Sequence, residues 1–339
     1  MKHQFTQSTM ATIFTVVLFS VSQSPVHAAH GTLNNVPLFL APQPAPNIFF
    51  MLDDSGSMHW SMPADGVGSS ALIELNEYDT IPDDDKEWRQ WCLGANLMAY
   101  NPSITYKPWA ANRPGTSTPF PDMTDLQNVW VNPLVSGSII DHKDGENNIV
   151  RGGDNEIIDL SAAPVVTWSD NGNGQYDAGE CPGGDATTGY LDTRVQRADS
   201  LTAAQQINFA NWFSYYRIRE HATKAAVTRV AATTSARMGM ATLHHNNGVG
   251  RPVLDMTVPA NKTAFLDDVV NFNSSGGTPL RTSLDNVGRY FDASSGTPGG
   301  LNIGAVSSPI LPAVQGGECQ QNFAMLMTDG QWNGGNQSV

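Results

Sequence analysis

Asn47-Ile-Phe-Phe-Met-Leu-Asp-Asp-Ser-Gly-Ser-Met58 decides the fold. Its first six residues are nearly all apolar, the pattern of a strand covered on both faces. The run stops abruptly in a loop of carboxylates and hydroxyls. Asn322-Phe-Ala-Met-Leu-Met327 repeats the pattern and stops at Thr328-Asp329-Gly330. Between the two runs, residues 237–243 and 253–258 read as further strands. Thr202-Ala-Ala-Gln205 is a capping box. The apolar positions after it recur at helical spacing, which predicts one long helix ending near Thr234. Residues 262–271 read as a helix, and Gly276-Gly277-Thr278-Pro279 opens another, with Pro279 in the first turn, where proline is tolerated. Residues 315–320 read as a loop. Strands alternating with helices imply an α/β, Rossmann-like domain built on a parallel sheet.

Outside these elements the chain is less regular. Residues 59–200 are rich in Asp, Asn, Gly, Pro and Trp and poor in long periodic segments. They read as a long irregular insertion of short strands and loops, placed after the first strand. So much loop within one domain requires a subdomain with its own core. The Trp and Tyr residues of the insertion suit that core better than a glycan site. Residues 1–29 carry Lys2 and His3, an apolar run and Val26-His27-Ala28-Ala29, the plan of a signal peptide with a small-residue cleavage site. Residues 30–46 read as a linker rich in Pro and Ala, and 47–339 as the domain with its insertion. No other stretch is long and apolar enough to cross a membrane, so no span is expected after cleavage.

Composition narrows the partners. The 339 residues carry 18 Lys and Arg against 32 Asp and Glu, a net charge of −14. Such a balance argues against nucleic acid and anionic membranes, which need basic patches. It suits a secreted protein that meets divalent cations. There are three cysteines, Cys92, Cys181 and Cys319, and Cys92–Cys181 is the preferred pair.

The two buried-type strands each end in a carboxylate, Asp53 and Asp329, and in open α/β sheets binding sites form at the carboxyl ends of strands. Asp53, Ser55 and Ser57 alternate in one tight loop, and Thr278 stands before a helix. Five oxygen ligands from three loops make a hard-cation site. Only two of them are anionic, so a bound Mg²⁺ (or Mn²⁺) would stay electrophilic and accept an outside oxygen, most naturally an acidic group of a protein ligand or surface receptor.

This set, D-x-S-x-S followed by a middle-loop Thr and a later Asp, resembles the metal-ion-dependent adhesion site of von Willebrand factor type A domains. Asp53, Ser55, Ser57, Thr278 and Asp329 match all five positions. The stretches Met98-Ala-Tyr-Asn-Pro-Ser-Ile-Thr-Tyr-Lys-Pro-Trp109, Gln206-Ile-Asn-Phe-Ala-Asn-Trp-Phe-Ser-Tyr-Tyr-Arg217 and Leu326-Met-Thr-Asp-Gly-Gln-Trp-Asn333 are similar to the PilY family of type IV pilus tip-associated proteins. So is the placement of the insertion. The resemblance covers roughly residues 45–333. It implies a type A domain and a secreted, cell-surface, pilus-associated (fimbrial) protein that passes through the periplasm. It further implies minor pilins as partners, and roles in pilus assembly, adhesion, twitching motility and surface sensing. Members of that family continue into a C-terminal β-propeller, whereas this chain stops at Val339, so the expectation is an N-terminal portion whose type A domain is incomplete. The alternative is a structural, force-responsive tip element whose metal site is not needed for assembly.

A second loop has the spacing of an EF-hand. Ser169, Asn171, Asn173, Gln175, Asp177 and Glu180 occupy positions one, three, five, seven, nine and twelve, with Gly174 at six. Ser169 stands where Asp is usual, and Ca²⁺ in this loop is an expectation made despite that departure. Asp83-Asp84-Asp85 and Asp141-His-Lys-Asp-Gly-Glu146 read as solvated segments, and His244-His245 as incidental. Ser55 or Ser57 beside His59 lacks the G-x-S-x-G elbow of a hydrolase, and no catalytic residue and no enzyme activity are expected.

Overall fold

The computed structural model describes residues 44–59, 85–131, 133–134, 140–143, 149–152, 157–183, 191–244, 249–292, 300–304, 307–330 and 332–333. The expected signal peptide, nearly all of the linker, and Asp83 and Asp84 lie outside them, as do 144–146 and His245, while 141–143 form part of a short strand. The described residues fall in one compact unit.

A four-stranded sheet organises that unit. β1 (Asn47–Leu52) lies between β10 (Asn322–Met327) and β8 (Arg237–Thr242), parallel to both. β9 (Gly250–Asp255) closes the far edge antiparallel to β8. The expected all-parallel sheet is therefore mixed, and the strand expected at 253–258 begins and ends earlier. Gly239 in β8 explains the close approach of β9. A side chain there would stand 2.7 Å from the Val253 nitrogen, and the β8–β9 register shifts between Met238 and Met240 at the same place.

The apolar run of β1 is explained by its two faces. Phe50 and Leu52 pack with Val227, Met240, Phe265 and Phe272, under α3 (Arg219–Thr233) and α4 (Pro259–Asn271). Phe49 and Met51 point the other way, to Val287, Tyr290 and Leu301, under α5 (Leu280–Phe291). Successive strand residues alternate faces, so a strand with helices on both sides has no room for a polar position. This is a mixed, Rossmann-like α/β arrangement.

The single long helix expected from Thr202 to near Thr234 is two helices, α2 (Ala203–Tyr216) and α3. Its start is as expected: the Gln205 side chain accepts from both the N–H and the hydroxyl of Thr202. The break falls at Ile218, which is extended (φ −112°, ψ 156°) and buried. The buried Arg217 guanidinium donates to Val131 O and Phe213 O, so a tertiary anchor ends α2 where propensity would continue it.

The described parts of the insertion comprise the short helix α1 (Asp85–Trp91), loops and three two-stranded ladders: β2 (Val129–Trp130) with β5 (Ile157–Ile158), β3 (Ile140–Lys143) with β4 (Ile149–Gly152), and β6 (Pro164–Val166) with β7 (Val195–Arg197). Their core is shared with the main-domain helices rather than one of their own. Trp88, Trp91, Tyr100, Trp109, Phe120 and Val129 cluster there with Phe209, Trp212 and Tyr215 of α2. Cys92 and Cys181 are joined, and Cys319 is exposed and unbridged. Two of the stretches that carry the family resemblance face each other. Asn208 accepts from Tyr106 N and donates to Ile104 O, Trp212 Nε1 donates to Met98 O, and Tyr216 OH donates to Lys107 O. Trp109 Nε1 donates onward to Tyr215 O and His221 O. Polar residues on α2 thus fasten irregular backbone that has no ladder of its own.

Candidate metal centre

The centre forms where β1, β8 and β10 end together. Asp53 N donates to Met327 O and Leu243 N to Leu52 O, which continues both parallel ladders one step past the strands. This carries Asp53 and Asp329 into adjacent loops at the carboxyl edge of the sheet. Asp53 and Ser55 are buried, and Asp53 Oδ1 accepts from Ser55 N at 2.9 Å, which closes the tight first loop. Ser55 Oγ lies 3.1 Å from Ser57 Oγ. The other Asp53 oxygen accepts from Thr328 Oγ1 at 2.7 Å and from Asp329 N at 3.4 Å, tying the first loop to the third.

The middle loop is fastened on both sides. Gly56 N donates to Gly276 O, and Ser275 N to Asp54 O. Thr278 N donates to Asn333 Oδ1, and Asn333 N to Thr278 O. Thr278 itself is 4% exposed. Helix α5 begins at Leu280, so Pro279, expected in the first turn, is its cap instead, and Thr278 sits in the loop before the helix. Gly276 has φ +83°, and a side chain there would meet the His244 ring at 2.6 Å, so the turn that presents Thr278 needs glycine twice over.

Asp329 completes the set. Its side chain is 3% exposed; Oδ2 accepts from Arg219 Nη1 at 2.6 Å, while Oδ1 is buried with no hydrogen-bond partner. A buried carboxylate oxygen without a donor is costly, and a cation would satisfy it. The donor set is two carboxylates and three hydroxyls, all hard oxygens, and it fits Mg²⁺ or Mn²⁺. Among the described residues no three or more His, Cys, Asp or Glu side chains gather to hold a metal. The expected set contains only two such residues, Asp53 and Asp329, and its other three members are hydroxyls.

Three participants had no sequence signal. Thr328 was read only as part of a turn, yet its hydroxyl binds Asp53. Arg219 reaches Asp329 across 110 positions of chain. Glu220, fully buried next to it, accepts from Lys224 Nζ at 2.6 Å, Ser274 N at 2.9 Å and Ser274 Oγ at 2.6 Å, with His59 Nε2 at 3.7 Å. Burial pushes the Glu220 carboxyl up, but Lys224 and His59 outweigh it and hold the carboxyl below its ordinary value. Only spatial pairing identifies such residues. Ser274 and His59 flank the middle and first loops, so this buried pair stands directly behind the centre.

The loop at 169–180 is separate. Glu180 is buried and turns inward, accepting from Asn171 N, Asp177 N and Trp168 Nε1. The Asp177 and Asn171 N–H groups hold its carboxyl below the ordinary range. Asp177 Oδ2 accepts from the side-chain amides of Asn171 and Asn173. The side chains of three of the six expected ligands, Asn171, Asn173 and Asp177, thus meet, while the Glu180 carboxylate binds the backbone of the same loop. Ser169 and Gln175 join through their backbone N–H groups, to Glu180 O and Asn173 Oδ1 respectively.

No family model matches the chain, and no solved structure matches it. Among curated proteins, it is 26% identical over 358 residues to the Type IV pilus biogenesis factor PilY1 of Pseudomonas aeruginosa strain PAK, covering 99% of this chain and 28% of that protein. The protein of the same name from strain UCBPP-PA14 is 27% identical over 357 residues, covering 99% of this chain and 27% of its own length. The chain therefore spans little more than a quarter of the curated relatives it matches. These similarities, spread along nearly the whole sequence, support a PilY family protein.

Proposed function

We propose that this chain is the type A, metal-binding portion of a type IV pilus-associated protein that acts in pilus assembly and adhesion. In this reading Asp53, Ser55, Ser57, Thr278 and Asp329 hold Mg²⁺ or Mn²⁺. Twitching motility and surface sensing follow from the same role. The observation that carries the reading is the meeting of three separate loops at two buried carboxylates, one with an unpartnered oxygen. The cation, when bound, supplies an electrophilic position for one outside ligand. The chain's own part is positional. Asp53 is oriented by Ser55 N and Thr328 Oγ1, and the middle loop is locked by Gly56 and Asn333. An acidic group on a minor pilin or a surface receptor is the partner this geometry suits. The protein would work at the cell surface after export through the periplasm, and not as an enzyme. In the described residues no helix is long and apolar enough to cross a membrane. Ca²⁺ in the 169–180 loop is a further proposal, resting on the meeting of the Asn171, Asn173 and Asp177 side chains and on Glu180 folded back against the same loop.

The test is a pilus shear assay in the parent bacterium, comparing wild type, a gene deletion and Asp53→Ala. Loss of surface pili in the deletion strain is expected, and Asp53→Ala shows whether the metal site shares in that. Normal pili with normal adhesion in the deletion strain would remove the pilus role. One observation favours a second reading, a structural tip element. The Cys92–Cys181 bridge closes an 89-residue span of the insertion, a crosslink that would limit its extension under load. In that case Asp53→Ala leaves piliation intact while loss of the bridge does not.

A further inference from the structure

We propose that Arg219 is a built-in counter-cation of the three-loop centre, holding it closed without metal and lowering its affinity for the divalent ion. The proposal rests on the metal reading above and deepens it. Arg219 Nη1 lies 2.6 Å from Asp329 Oδ2 and 3.4 Å from Ser57 O. One guanidinium therefore bridges the first and third loops, the two that carry the carboxylates. The pair is withdrawn from water, at 10% and 3% exposure, so its attraction is screened far less than at a surface. Its placement is not left to a flexible side chain alone. Arg219 is the first residue of α3, and the next residue, Glu220, is fully buried and bound to Ser274 and Lys224.

The charges make the consequence specific. Asp53 and Asp329 carry two negative charges, and Arg219 offsets one of them. A divalent ion must approach with a like charge already at Asp329, and it is left chiefly with Asp53 and the unpartnered Asp329 Oδ1 as anionic ligands. Metal binding and the Arg219 bridge thus oppose each other through Asp329. Removing the guanidinium frees Oδ2 and deletes the repulsion. It also takes away the bridge that keeps the loops together when no cation is bound.

The experiment is isothermal titration of Mg²⁺ and Mn²⁺ into the full chain as wild type, Arg219→Gln, Arg219→Lys and Asp53→Ala, with thermal melts in EDTA and in saturating Mg²⁺. The expected result is at least about tenfold tighter metal binding in Arg219→Gln, little change in Arg219→Lys, and a melting point for Arg219→Gln that is lowered in EDTA and restored by Mg²⁺. Folding of Arg219→Gln only in Mg²⁺ supports the same conclusion. If it folds in neither buffer, Arg219→Met makes the comparison, since it drops the charge but keeps an apolar stem. Unchanged or weaker affinity in the charge-removing variant, with Asp53→Ala abolishing binding, overturns the role of Arg219 and leaves the metal site standing. Equal binding by wild type and Asp53→Ala, or no binding by any variant, removes the metal reading itself.

Discussion

Glu220→Gln tests how much of the centre depends on the buried pair behind it. Glu220 and Lys224 are both fully buried, and the carboxylate accepts from Lys224 Nζ and twice from Ser274. Glutamine can keep an oxygen toward Ser274 but not the charge opposite Lys224. The ammonium is then left between the rings of Phe272 and Trp109, 4.8 and 5.3 Å from their centroids, and such faces replace only part of an ion pair. Breaking a buried pair by removing one partner costs about 3–5 kcal/mol. Deprotonation of Lys224 sets the ceiling. Neutralising a lysine of ordinary pKa at pH 7 costs roughly 4–5 kcal/mol. The expected loss is therefore about 3–4 kcal/mol, or a fall in Tm of about 10 °C for a unit of this size. Denaturant unfolding at pH 7, with the m-value checked for constancy, reads it directly. The double variant Glu220→Gln/Lys224→Met removes the stranded charge and should recover about half of the loss or more. A single-variant loss under about 1 kcal/mol, or a double variant no more stable than the single one, would show that the pair does not support the fold behind the centre.

Replacing Cys92 and Cys181 by Ser should cost about 2–5 kcal/mol, because an 89-residue span is no longer closed in the unfolded chain, and limited proteolysis should then cut first within 85–200. His221 is fully buried; burial, then Arg217, Lys224 and His59, hold its pKa well below the usual histidine range. The unfolded chain binds this proton below about pH 6.5 and the native protein does not, so stability should decline by up to about 1.4 kcal/mol per unit as pH falls below that value. Denaturant melts of wild type and His221→Phe between pH 7 and 5 should show a shallower decline in the variant; parallel curves would assign the effect to other groups. Gly276→Ala should destabilise by about 1–3 kcal/mol through its positive φ and the contact with His244, and should weaken metal binding in a calorimetric titration by displacing Thr278.

Local chemistry and periodicity sufficed for the frame. The apolar run at 47–52 marks a two-faced strand because helices on both sides of a sheet exclude polar residues from it. The run at 322–327 marks a strand but not a buried one, since at the sheet edge Asn322–Met325 are exposed and only Leu326 and Met327 are half-buried. Their terminal carboxylates fall in adjacent loops because parallel strands end together. The Thr202 cap and the bounds of β1 and β10 were legible for the same reason: each depends on residues near one another in the chain. Contacts between distant segments were not legible. The break at Ile218 depends on Arg217 reaching Val131, the close approach of β9 on Gly239 admitting its backbone, and the setting of Asp329 on Arg219. None of these leaves a periodic trace, since each is a single side chain meeting a partner far along the sequence. The sequence by itself determined which residues carry the oxygens. Tertiary structure decided which charge stands beside them, because screening, burial and pairing are properties of positions in space.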